Sequence, residues 1–356
     1  MLHYTQFKSI LRHGAVIVNG VFIGILPIFA THPLPFLLGL HNFDTLQSNT
    51  KQTKQTFLRQ KTTFQNLTTQ CALPMILAEK YEVIFMKDIL TAPFIRDMCK
   101  TTSNMYRLGW DECNAGNISY LLDEAEVAQY IDIHSPIRTV DCGFCAKELA
   151  GKYFVVTGGG KYFMNVAEDP EINLGIIRIG EDGRTVEILW GLKDGGRYTS
   201  ELPAHMMSHV ARLSVDPQNR VVLHSHPTNV QAMTFVHELS DRAFTRTLWK
   251  MCTESIGTFE DGVGVLPWMV CGTNTIGEAT AEKMKEFRFV IWAMHGVYAA
   301  GRTLDETFGL MENVEKAAQI YLLTAHLPQK NEITDENLRD QAIQWKKNYR
   351  NDFLDL

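Results

Sequence analysis

From Met86 onward, apolar residues recur at helical or strand spacing between clear stop signals; the first 85 residues show no such order. Thr91-Ala92-Pro93 supplies a cap followed by a proline suited to a first helical turn. Phe94, Ile95, Met98, Met105 and Leu108 then keep helical spacing, and Gly109 can end that helix. Residues 117–122 and 153–157 read as strands, and 174–179 and 185–190 flank the hairpin signal Glu181-Asp182-Gly183-Arg184. The runs Val221-Val222-Leu223 and Phe289-Val290-Ile291-Trp292-Ala293-Met294 read as buried strands. Helices are expected near 201–213, 228–239, 241–252, 275–286 and 305–326. A last polar helix, 334–348, would anchor through Leu338, Ile343 and Trp345. Hairpins and single strands mix with helices instead of alternating as strict βαβ units. The expected class is therefore α/β, a central mainly antiparallel sheet covered by helices on both faces.

The N-terminal part is different in kind. Residues 14–43 contain no Asp, Glu, Lys or Arg, and Gly14 to Ala30 is strongly apolar behind Lys8 and Arg12. That pattern suits a signal-peptide core or a marginal membrane segment. Asn19, Pro27 and two glycines interrupt it, and residues 45–70 are rich in Thr, Gln, Asn and Lys without periodicity, as in disordered chain. The preferred expectation is that translation starts at Met86 and that 1–85 is upstream sequence read in frame. A membrane anchor and an export signal rank below it.

Composition narrows the function classes. Apolar content of 45% and charged content of 21% are those of an ordinary soluble globular protein. Residues 1–85 carry +4 of a total net charge of −6, which leaves the remainder acidic, at −10. Nothing in this balance calls for nucleic acid or an anionic membrane as partner. Seven cysteines at irregular spacing argue against a disulfide framework and for a reducing cytoplasm. Cys142-Gly143-Phe144-Cys145 is a single CxxC without a partner pair, better read as unpaired thiols than as a zinc or redox site.

The chemistry concentrates in the histidines. His224-Ser225-His226 ends an apolar strand, and side chains two apart on a strand share a face, so both rings can meet one ion. Two such histidines occur often enough as satisfied core or turn residues. A third, His295, ends another buried strand and favours an open catalytic metal site. Thr199-Ser200-Glu201-Leu202-Pro203-Ala204-His205 reads as a capped helix start, an anion-friendly place, with Glu201 and Pro203 in its first turn. Glu201 there either complements the helix dipole or acts as a general base beside the metal. Glu201, His205 and His209 also form one helical stripe, a rival ligand set. The strand histidines are preferred, with His205 and His209 structural and His209 facing partly outward. Gly158-Gly159-Gly160-Lys161 could cradle a phosphate on bare backbone N–H groups, and Asn114-Ala115-Gly116-Asn117 is a second polar turn.

Taken together, these stretches resemble the metal-dependent L-rhamnulose-1-phosphate aldolase family of the class II aldolase/adducin-head superfamily. The resemblance is carried by Gly109-Trp110-Asp111-Glu112, Asn114-x-Gly116-Asn117, Val156-Thr157-Gly158-x-Gly160-Lys161, Thr199 to His205 and His224-x-His226. It continues through Gly262-Val263-Gly264-x-Leu266-Pro267-Trp268, His295-Gly296-Val297 and Leu304-Asp305-Glu306-Thr307-Phe308-Gly309-Leu310. These run in order from about Met86 to about Ala325, and 1–85 has no counterpart, so 86–356 would be the aldolase domain.

The resemblance implies a zinc ion, one per subunit, on His224, His226 and His295, acting as Lewis acid toward the ketone of a phosphorylated sugar. It implies Glu201 as the base at the carbon beside the carbonyl. Glu254 would be an acid that reaches the aldehyde oxygen from a neighbouring subunit of a homotetramer. Asn114, Asn117, Gly159, Thr199 and Ser200 are the matching phosphate-binding positions. The implied reaction cleaves L-rhamnulose 1-phosphate to dihydroxyacetone phosphate and L-lactaldehyde. The sequence departs from the family pattern at Ala115, Gly159 and Cys113, all in or beside the phosphate turns, which predicts weakened phosphate binding. Ala115 would be strained if its φ were positive, and Ser at 159 should strengthen binding. The rival readings are a fuculose-phosphate aldolase, a ribulose-phosphate 4-epimerase, a thioribulose-phosphate dehydratase, or a metal-free adducin-like scaffold.

Overall fold

The structure, a computed structural model, describes residues 86–356 and the backbone of two short strands upstream. The chain divides between Met86 and Lys87 into two units. In the first, β1 (Ala15–Val18) pairs antiparallel with β2 (Val21–Gly24). The remaining expectations for 1–85 (a disordered tract and an upstream mis-start) lie outside the described residues. Among the described residues, no helix is long and apolar enough to cross a membrane.

The second unit is built on a nine-stranded sheet. Its strands are β3 (Asn117–Leu122), β4 (Arg138–Asp141), β5 (Tyr153–Thr157), β6 (Leu174–Ile179), β7 (Thr185–Gly191), β8 (Val221–Ser225), β9 (Gly264–Leu266), β10 (Phe289–Trp292) and β11 (Gly296–Gly301). Their order is β4-β7-β6-β5-β3-β8-β11-β10-β9. Every pairing is antiparallel except β9 with β10, as expected for a mainly antiparallel sheet.

Strand alternation puts successive side chains on opposite faces, and the central strands are apolar on both. On β10 and β11, Phe289, Ile291, Val297 and Ala299 join one core while Val290, Trp292, Tyr298 and Ala300 join another. The first core is covered by α1 (Pro93–Leu108), and by helices at Thr228–Val236, Asp241–Met251, Leu304–Thr324 and Asp335–Gln344. The opposite face is covered by the helix pair Leu202–Val215 and Asn274–Lys283. In α1, Phe94, Ile95, Met98 and Met105 are buried, each contributing about 1.5–3 kcal/mol over exposure. Gly109 ends α1 with φ 72°, a conformation that costs glycine little.

Several boundaries differ from the sequence pattern. The second strand of the histidine region stops at Trp292 rather than Met294, because the chain turns there. The helix expected to run to 239 ends at Val236, where His237 is extended. In the last helix Leu338 is buried, but Ile343 is 63% exposed and anchors nothing. The hydrophobic pattern gives no sign of β4, β9 or β11.

Candidate metal centre and active site

The C-terminal end of β8 meets the turn between β10 and β11, and this brings three imidazoles together. β8 pairs with β11 so that His224 lies opposite Tyr298. Trp292 pairs with Gly296, leaving the three-residue turn Ala293-Met294-His295. Met294 adopts φ 61°, uncommon for a residue with a side chain. The turn is held by Met294 N–H donating to Thr234 Oγ1 (2.9 Å) and His295 N–H donating to the Trp292 carbonyl (3.1 Å). The turn thus presents His295 to the strand histidines. The rings form a near-equilateral triangle, with centroids 5.1 Å (His224–His226), 5.2 Å (His224–His295) and 5.0 Å (His226–His295) apart.

The donor chemistry fits a divalent cation. One nitrogen from each ring lies within 4.8 Å of the other two. His224 donates from Nδ1 to the Val297 carbonyl (2.9 Å), and His226 from Nδ1 to Glu112 Oε1 (2.9 Å). Such bonds fix the tautomer that leaves Nε2 free to ligate. The His226 Nε2 is buried and has no hydrogen-bond partner, as a nitrogen reserved for a metal would be. Burial lowers the pKa of His224 to about 4, and burial together with His226 lowers that of His295. Both shifts favour the neutral ring, the form that binds metal. A metal-free scaffold has no use for such a cluster.

Glu201 stands beside this triangle. Its Oε2 is 3.6 Å from His224 Nε2 and accepts from the Tyr298 hydroxyl (2.7 Å) and Asn117 Nδ2 (3.3 Å). Burial alone would raise its pKa. In the acid range where Glu201 titrates, the charges that His224 and His205 then carry, with the Tyr298 and Asn117 hydrogen bonds, outweigh burial and lower it to about 2. Glu201 is therefore an ionised carboxylate with donors on it, in the form that can accept a proton. It occupies the cap position of the helix Leu202–Val215 and not its first turn; the Thr199 hydroxyl accepts from the Glu201 N–H (3.2 Å).

The rival stripe does not make a metal site. His205 bonds through both nitrogens, to Ser119 Oγ (2.7 Å) and Asn117 Oδ1, and His209 Nε2 lies 2.8 Å from Ser119 Oγ. His209 does not face outward as expected but is fully buried, because its face of the helix packs on Phe154, with ring centroids 4.9 Å apart. The Cys142–Cys145 thiols are free.

The two polar turns lie at the same end of the central strands β3 and β5. Asn117 pairs with His224 across β3 and β8, and Gly158 bridges to Tyr198, next to Thr199. Asn114 and Ser200 are exposed, Thr199 is buried, and Gly159 is half-buried. Two of the three glycine amides in the turn are already engaged. Gly158 N–H donates to the Asn173 carbonyl (2.8 Å) and Gly159 N–H to the Arg197 carbonyl (2.7 Å). With its amide engaged and no side chain, Gly159 offers a phosphate no donor; it permits the close pass of Tyr198, whose carbonyl would sit 2.9 Å from a Cβ there. Ala115 is spared backbone strain, since the left-handed residues of its turn are Cys113 (φ 54°) and Gly116 (φ 76°). Gly116 is required twice over, because a Cβ there would lie 1.7 Å from Asp111 Oδ1.

Comparison with known proteins agrees with this geometry. The family described as Class II Aldolase and Adducin N-terminal domain matches residues 96–322. A rhamnulose-1-phosphate aldolase of Listeria monocytogenes is 62% identical over 254 residues, 71% of this chain and 93% of that protein. The chain belongs to the class II aldolase family, alongside the rhamnulose-1-phosphate aldolases. A second protein of that name, from Enterococcus faecalis, is 57% identical over 66% of this chain and 84% of its own. A sugar-phosphate aldolase structure from Thermotoga maritima superposes with TM-score 0.58 at 28% identity, covering 67% of this chain and 97% of that one.

Within this aldolase frame, Glu254 stands apart. It is exposed, begins the short helix Ser255–Thr258, and accepts from Cys252 Sγ (2.8 Å). Its hydrogen bonds do not involve the histidine triangle. Tyr298 and Glu112 escape sequence reasoning as functional groups. Tyr298 stacks on His224 (centroids 4.7 Å apart) and donates to Glu201; Glu112 orients His226. The signal for Tyr298 was its place two residues beyond Gly296, on the face of β11 that carries the site, but only the strand register reveals it.

Proposed function

We infer that the protein cleaves L-rhamnulose 1-phosphate between C3 and C4, giving dihydroxyacetone phosphate and L-lactaldehyde. The single observation that carries this is the triangle of three imidazoles, with the unpartnered Nε2 of His226, set against the Glu201 carboxylate. The identity to proteins named rhamnulose-1-phosphate aldolase supports the choice of substrate over fuculose or ribulose phosphates.

His224, His226 and His295 would hold one zinc ion per subunit, which when bound supplies Lewis acidity toward the substrate ketone. Three neutral ligands leave that ion its full charge. Glu201 would take the proton from the carbon beside the ketone of dihydroxyacetone phosphate in the condensation direction, and return it in cleavage. The Tyr298 hydroxyl and Asn117 amide hold the carboxylate in place for that transfer. Asn114, Asn117, Thr199 and Ser200 would receive the phosphate from neutral donors, which suits the acidic body of the chain. Glu254, exposed on its own subunit, would act on the aldehyde oxygen of a neighbouring site in a homotetramer. The free thiols and the ordinary composition support a cytoplasmic enzyme.

A cleavage assay coupled to reduction of lactaldehyde tests this. Activity on L-rhamnulose 1-phosphate that a chelator abolishes and zinc restores is expected. Full activity after complete metal removal, or turnover of L-fuculose 1-phosphate in its place, would contradict the reading.

A further inference from the structure

Behind Glu201 lies a buried line of polar side chains, of which the proposed mechanism uses only Asn117. Asn117 touches Glu201, His205 touches Asn117, Ser119 touches His205, and His209 touches Ser119. Asn117, Ser119, His205 and His209 are all buried. The helix Leu202–Val215 supplies the two histidines one turn apart, and β3 supplies Asn117 and Ser119 two residues apart, so one helix stripe meets one strand face.

Hydrogen-bond chemistry gives the line one direction. An ionised carboxylate only accepts, so the Asn117 atom facing Glu201 is its amide nitrogen. That turns the Asn117 carbonyl oxygen toward His205, and an amide oxygen also only accepts. His205 must therefore carry its hydrogen on Nε2. Burial keeps the ring neutral, with a pKa near 3, so Nδ1 is bare and accepts from the Ser119 hydroxyl. The Ser119 oxygen then accepts from His209 Nε2–H. The last nitrogen, His209 Nδ1, should carry no hydrogen and need no acceptor; it is in fact buried without a partner. The opposite tautomer of His205 would flip the Asn117 amide and set its oxygen against the Glu201 carboxylate.

We propose that Ser119, His205 and His209 are positioning residues for the base: they fix the His205 tautomer, hence the Asn117 amide, hence the aim of Glu201. This rests on Glu201 being the base. It also gives Asn117 two uses, since its second amide hydrogen remains free to reach substrate.

Two readouts test it. Neutron diffraction locates the ring hydrogens directly, and a deuteron on His205 Nε2 is expected; a deuteron on Nδ1 with Nε2 bare would overturn the proposal. The second readout is exchange of dihydroxyacetone phosphate carbon-bound hydrogen with deuterium oxide by the metal-loaded chain, followed by proton NMR without aldehyde. Ser119→Ala should slow exchange and cleavage together, by roughly 10-fold or more, with bound metal unchanged. His205→Gln, whose amide can still donate to Asn117, should recover most of the exchange that His205→Leu loses. If His205→Leu does not fold, Ser119→Ala and the diffraction result still decide. Wild-type exchange in Ser119→Ala, with Glu201→Gln inactive, would overturn the chain alone. Exchange retained in Glu201→Gln would overturn the base assignment beneath it, and with it the purpose given to the chain.

Discussion

Replacing Tyr298 with Phe removes one oxygen and nothing else. The ring is fully buried and lies between His224 and Trp292, with centroids 4.7 Å and 4.6 Å away, so an isosteric ring leaves no cavity. What is lost is a 2.7 Å hydrogen bond from a hydroxyl to the buried Glu201 carboxylate. A bond to a charged group contributes about 1.5–3 kcal/mol, and at about 1.36 kcal/mol per pKa unit that raises the Glu201 pKa by roughly 1 to 2. The sign follows from linkage. Glu201 sits at about 2 when folded against an ordinary value of 4.5, so its contribution to stability is full above 4.5 and lost as pH falls through 2. Tyr298→Phe should therefore be destabilised at pH 7 by about 1.5–3 kcal/mol, a deficit that fades only as the wild-type carboxylate also protonates. Urea unfolding of metal-stripped protein at pH 7 should show a lower midpoint at unchanged m. The decisive comparison is a double-mutant cycle, since in a Glu201→Gln background the same Tyr298→Phe change should cost much less. Equal stability of Tyr298→Phe and wild type, or an equal cost in both backgrounds, would refute the reasoning.

Other outcomes follow from neighbouring contacts. Glu112→Gln keeps the shape but loses the charged acceptor for His226 Nδ1, so zinc affinity measured by competition with a chelator should fall roughly 10- to 100-fold. Gly116→Ala should fail to give soluble, folded protein, because its Cβ would fall 1.7 Å from Asp111 Oδ1 at a φ of 76°; a normal melting curve would count against that. Gly159→Ser should not lower KM for the sugar phosphate, contrary to the sequence-based expectation, because the new Cβ meets the Tyr198 carbonyl at 2.9 Å; a lower KM would revive the idea of a missing hydroxyl. Glu315→Gln should lower the melting temperature, since both oxygens of this buried carboxylate accept from the amides of Asn229 and Val230 at the start of the helix Thr228–Val236; a charged cap of this kind contributes about 1.5–3 kcal/mol.

The histidine cluster was legible because strand geometry is local. His224 and His226 share a face by spacing alone, and His295 follows a run too apolar to be anything but buried. The groups that tune them were not legible, because their partners are far apart in sequence. Tyr298 and Glu201 are separated by 97 residues, and His226 and Glu112 by 114. Strand β11, which brings Tyr298 to Glu201, hides behind Gly296, two alanines and Gly301, a composition with little strand signal. The outward reading of His209 failed for a similar reason. Its helix is covered on one side by the sheet and on the other by Asn274–Lys283, so a stripe that looks amphipathic in isolation is enclosed. At the glycine turn, the sequence could not say that the Gly158 and Gly159 amides are already engaged.

The central claim is that one divalent ion on His224, His226 and His295 makes the site reactive. The most direct measurement is a zinc titration of chelator-stripped chain, read as cleavage of L-rhamnulose 1-phosphate. Activity should rise linearly from near zero and break at one zinc per chain, with no rise in His295→Ala. Substantial cleavage before any zinc is added, or an unchanged titration in His295→Ala, would contradict it.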